Sequence, residues 1–85
     1  MAYWVYIKQE DHGKLVPCIS VYFGKEILDC ISDIGIVYLR PFSVPMDALA
    51  HKHLLDDLSE DTLALLIKRN KVKTDILLEQ IHNNK

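Results

Sequence analysis

The chain of 85 residues has room for one small domain spanning 1–85, since a domain usually takes about 100 to 200 residues. Hydrophobic residues make up 49 % and charged ones 26 %, with 3 Gly and 3 Pro, a composition that excludes disordered and collagenous chains. Ten Lys and Arg against twelve Asp and Glu give a net charge of -2, so no global positive field gathers nucleic acid or anionic lipid.

Residues 2–8 are dominated by aromatic and β-branched types, which predicts a strand. Alternation puts Tyr3, Val5 and Ile7 on one face and Trp4, Tyr6 and Lys8 on the other. The polar stretch from Gln9 to Lys14 reads as a hairpin loop in which Gly13 supplies positive φ, and Leu15 to Phe23 resumes a strand. Pro17 lacks an N–H donor, which places this strand at an edge or on a bulge. Between Gly24 and Gly35 the spacing of Ile27, Cys30, Ile31 and Ile34 is compatible with a further strand or a helical turn. Ile36 to Leu39 predicts a third strand that stops at Arg40-Pro41, because the residue before proline avoids helix.

From Ser43 onward the character becomes helical, with Pro45 placed where a first turn tolerates it. Met46, Ala50, Leu54 and Leu58, flanked by Leu49, form a stripe spaced by four that is expected to face the core. Ser59 followed by Glu60 and Asp61 reads as an N-cap with acids at the positive end of the next helix. Leu63, Leu66 and Ile67 face inward on that helix, whereas Leu77, Leu78 and Ile81 fall on the opposite side. Either the helix breaks near Asn70, or one continuous helix packs against two surfaces. His82 to Lys85 should fray. The expected fold class is therefore α+β: a small, mostly antiparallel sheet of about three strands (residues 2–42) packed by two or three helices (residues 44–82).

No catalytic or cofactor motif is present, so no enzyme, cofactor or metal is expected. Cys18 and Cys30 match neither a disulfide framework nor a zinc spacing and read as thiols. His51 and His53 point about 200° apart on a helix and cannot share a metal. They read instead as solvated partners of Asp47 and Asp57 at i, i+4 spacing. The apolar opening from Ala2 to Ile7 is shorter than a signal peptide or a membrane span, which leaves a reducing, cytoplasmic setting without membrane contact as the expectation.

Two surfaces remain. Five of the seven aromatic residues lie in the first 23 positions, so Trp4, Tyr6 and Tyr22 are the expected interface of a non-enzymatic docking module that meets a protein partner or a second copy of itself. The alternative is a small nucleic-acid-contacting regulator that uses a helix-turn-helix-like segment around 62–82, with Lys68, Arg69, Lys71 and Lys73 against phosphates. The cations at a helix end also complement its macrodipole, and the nearby Asp56, Asp57, Glu60 and Asp61 repel the same phosphates. The docking module is therefore the favoured expectation.

Overall fold

A computed structural model describes residues 3–20 and 35–83. Among these the elements run β1 (Tyr3–Gln9), β2 (Leu15–Ser20), β3 (Gly35–Phe42), α1 (Pro45–Asp57), α2 (Glu60–Arg69) and α3 (Lys71–Asn83). A three-stranded antiparallel sheet followed by three helices is the α+β fold read from the sequence. Tyr22, Cys30 and the open choice between strand and helix over 25–34 lie outside the described residues.

The strand order β2-β1-β3 puts β1 in the middle, where both of its faces are covered. Trp4 to Ile7 are accordingly four consecutive buried residues, and no alternation of polar and apolar types is needed. The β1–β2 connection is a tight hairpin: Gly13 takes φ 81 and donates to the Glu10 carbonyl at 2.8 Å, while Glu10 N–H reaches Lys14 at 2.9 Å. Pro17 sits on β2, an edge strand among the described residues, as its missing donor demands.

The third strand is longer than the sequence reading allowed, running through Arg40 and Pro41 to Phe42. The physical reason lies at its open edge. Leu39 turns its N–H away from β1 and donates it to Thr74 Oγ1 of α3 at 3.3 Å. In an antiparallel strand residue 41 points its backbone the same way, so a proline there removes no ladder bond. A register shift between Ile7 and Lys8 pairs Ile7 with Tyr38 and Lys8 with Ile36, so a bulge at β3 brings Ile36 and Leu39 to one face.

Two clusters result. Val5, Ile7 and Tyr38 pack under α1 and α2 with Ala48, Leu55 and Leu63; on the other face Trp4, Tyr6, Ile36 and Leu39 pack under α3 with Ile81. Each set of β1 residues predicted to share a face does so, but both sets are core. Ser59 caps α2 by accepting from Thr62 N–H at 3.3 Å, and Asn70 stops that helix by donating from its backbone and side chain to Leu66. The apolar residues of α2 and α3 therefore serve two surfaces because the helix breaks at Asn70 and the chain crosses from one face of the sheet to the other. The last helix continues to Asn83 rather than fraying from His82.

Helix α1 overturns its predicted packing face. The stripe residues Met46 and Leu54 are 71 % and 56 % exposed, and Leu49 also faces solvent, while Ala48 and Leu55 are fully buried. The small Ala48 lets the helix backbone approach the sheet closely. A face bearing Ala48, His51 and Leu55 thus wins over the more hydrophobic one.

Candidate nucleic-acid interface

The crossing at Asn70 brings together basic residues from three elements. Lys68 and Arg69 end α2, Lys71 and Lys73 open α3, and all four are exposed. Arg40 joins them from β3, across a cleft of about 260 Å³ lined by Tyr38, Leu39, Arg40, Pro41, Asn70, Lys73 and Leu77. Among the described residues the ion pairs are Lys52–Asp56 at 2.7 Å and Lys71–Asp75 at 3.6 Å, so Arg40, Lys68, Arg69 and Lys73 carry charge that no carboxylate among those residues neutralises. Asp56 and Asp57 end α1 and Glu60 and Asp61 open α2, so at 1.5 Å per residue along that helix the acids stand roughly 10 Å or more from Lys68 and Arg69.

The interior side of this region is held by an aromatic cluster. Tyr38 hydroxyl and His51 Nε2 share a hydrogen bond of 2.9 Å, and the His51 ring lies 6.0 Å from the Tyr38 ring and 5.2 Å from that of Phe42. The Arg40 guanidinium sits 5.0 Å from the centre of the Phe42 ring, a cation–π contact that leaves its charge available. Burial, with Arg40 adding to it, lowers the His51 pKa below the ordinary histidine value. Burial also raises the Tyr38 pKa, against the opposing pull of Arg40. At neutral pH the arginine is the charged member of the cluster.

His51 therefore does not stand on a solvated face with Asp47, as its spacing suggested; the sheet supplies its partner. His53 is exposed on the other side of α1, so the two histidines diverge as their spacing required. The Cys18 Sγ donates to the Val16 carbonyl oxygen at 3.6 Å. Among the described residues no helix is long and apolar enough to cross a membrane.

Sequence reasoning found four of the cations and missed Arg40. Read along the chain, Arg40 was only the residue before a proline. Its register opposite Val5 on a strand next to the helix crossing is a tertiary property.

No family model matches the chain, and no curated protein matches it. Among solved structures, it is similar to the solution NMR structure of the UPF0213 protein BH0048 from Bacillus halodurans, with a TM-score of 0.66 at 16 % identity, over 84 % of this chain and 87 % of that one. The likeness is one of fold. This relation corrects the reading of the chain as a docking module. The burials agree: Trp4 and Tyr6 are 6 % and 8 % exposed, so the two described members of the expected aromatic interface are packed beneath α3 and present nothing to a partner.

Proposed function

We propose that the chain is a nucleic-acid-contacting regulator that holds the phosphate backbone at the α2–α3 crossing, with Lys68, Arg69, Lys71 and Lys73 joined by Arg40. The observation that carries this reading is the gathering of five cations from three elements at one sheet edge, four of them without a carboxylate partner among the described residues, on a chain whose net charge is -2. Local charge governs phosphate contact even where the global field is unfavourable. The contact differs in form from a helix-turn-helix. In that motif the second helix enters the major groove, whereas α3 spends its inner side on Trp4 and Tyr6 and exposes Asp75 and Glu79 outside. The exposed turn is therefore the contacting element, and binding is of the backbone more than of base edges. The reading is of a binding domain rather than an enzyme, in a reducing compartment, since the cysteine spacing of Cys18 and Cys30 matches no disulfide framework.

The test is a salt series on Lys68→Gln/Arg69→Gln/Lys71→Gln against the unaltered chain, using a short DNA duplex. Each phosphate-contacting cation contributes about one unit to the slope of log affinity against log salt, so the triple variant should bind more weakly with a slope shallower by about 3. An unchanged slope, or no duplex binding by the unaltered chain, overturns the reading. The melting temperature should fall only modestly, because Lys68 and Arg69 also complement the α2 dipole.

A further inference from the structure

The cleft at the β3 edge offers a different chemistry from the exposed turn beside it. Its cations, Arg40 and Lys73, come from opposite walls, and Leu77 and Pro41 add apolar area. Among the described residues its β3 backbone offers acceptors without donors at positions 39 and 41: the outward N–H of Leu39 is taken by Thr74 Oγ1, and Pro41 has none. The carbonyls of Leu39 and Pro41 point the same way as that N–H, since each residue of an antiparallel strand directs both groups to one side. Asn70 gives one of its two side-chain N–H groups to the Leu66 carbonyl at 2.8 Å, and its Oδ1 is a further acceptor.

This combination rejects an added β-strand, which needs alternating donors and acceptors along the edge. It calls for a ligand that carries an anion for the two cations and N–H donors for the carbonyls. A nucleotide has both. In a duplex the N–H donors are engaged in pairing and the bases are stacked, so the cleft discriminates by strand state. With a volume of about 260 Å³, it suits one nucleotide rather than a longer ligand.

We infer that the β3-edge cleft takes one unpaired nucleotide of a single strand, its phosphate between Arg40 and Lys73 and its base N–H groups on the acceptors of Pro41 and Asn70. The inference rests on the nucleic-acid reading and sharpens it to a single-stranded ligand. The experiment is fluorescence anisotropy with three labelled probes of about ten nucleotides: an oligo-dA strand, the matching duplex and an abasic strand. The unaltered chain should favour the dA strand by about tenfold over both others, the scale of one well-held base. Arg40→Gln/Lys73→Gln should abolish that preference and also weaken duplex binding, because two phosphate contacts are lost, leaving the dA strand and the duplex bound alike through Lys68, Arg69 and Lys71. Because Arg40 packs on Phe42, a melting curve accompanies the variant, and Lys73→Gln alone carries the test if the double variant unfolds. Equal binding of the abasic and dA strands overturns the inference and leaves the phosphate reading standing, and so does a preference that survives the variants. Absence of binding to any probe overturns both.

Discussion

The two faces of the sheet are built differently. One is sealed by α1 and α2 over an aliphatic set in which Val5, Ile7, Ala48 and Leu55 are fully buried; among the described residues the other rests under α3 on Trp4, Tyr6 and Leu39, each with a trace of exposure. On the α3 face the larger side chains supply the buried area. The division has a consequence at the edge of β3. To reach the second face the chain must cross there, and the crossing is where the helix ends, their cations and the cleft coincide. Packing economy and the candidate binding surface thus share one cause.

The comparison is most sharply tested by large-to-small substitutions on both faces. Trp4→Ala should cost about 3–5 kcal/mol of stability and Leu55→Ala about 2–5 kcal/mol, since both leave buried space that the sheet cannot collapse into. Urea denaturation of the two variants measures this. If Trp4→Ala melts like the unaltered chain while Leu55→Ala unfolds, the α3 face is not core and the equivalence of the two faces is broken. Conservative Ile7→Val and Ile81→Val changes should each cost about 0.5–1.5 kcal/mol. Their costs should add, because the two residues belong to separate clusters with no shared partner.

A smaller effect tests how α3 is fastened to its face. Thr74 is 2 % exposed and gives β3 its edge acceptor through Oγ1. Replacing it by valine keeps the shape but strands the Leu39 N–H without a partner, a loss of about 1–3 kcal/mol. Thr74→Ser should recover most of it. Hydrogen exchange at the Leu39 amide distinguishes this cause from a packing defect: the amide should lose protection in Thr74→Val and keep it in Thr74→Ser. Equal exchange in the two variants removes the hydrogen bond from the account.

Much of this architecture is legible along the chain. Patterning and punctuation suffice for the strands around Val5 and Cys18, the Gly13 turn, the Ser59 cap and the break at Asn70, because each depends on neighbours within a few positions. What fails is the choice of face. Alternation separates Trp4 from Val5 without saying that β1 is central and covered twice. On α1 the more apolar stripe through Met46 and Leu54 loses to the side with Ala48, a choice that depends on how closely the helix must approach the sheet. The basic cluster is visible in the sequence, but its distance from the acids along α2 and its meeting with Arg40 are set by tertiary geometry. Thr74 falls in the polar run Asn70 to Thr74 and gives no sign that it is buried.

The smallest predicted effect separates the faces by pH. His51 lies among the residues that cover the α1 side, and its pKa is held below the ordinary value of about 6.5 by burial first and by the Arg40 charge second. Its unfolded form therefore takes up a proton at a higher pH than its folded form. Stability from this residue is fully present above about pH 6.5, is lost as pH falls from there toward the folded pKa, and changes no further below it. Tyr38, whose own pKa is raised, stays protonated throughout this range and keeps its hydrogen bond to the neutral imidazole. Urea denaturation from about pH 7.5 down to 5 should show a decline in stability that is shallower in His51→Gln. Arg40→Gln should shift the decline to lower values of stability loss by letting His51 protonate more readily in the folded state. A His51→Gln profile parallel to that of the unaltered chain would mean that the imidazole titrates alike in both states, and that the α1 face tolerates the charge as readily as water does.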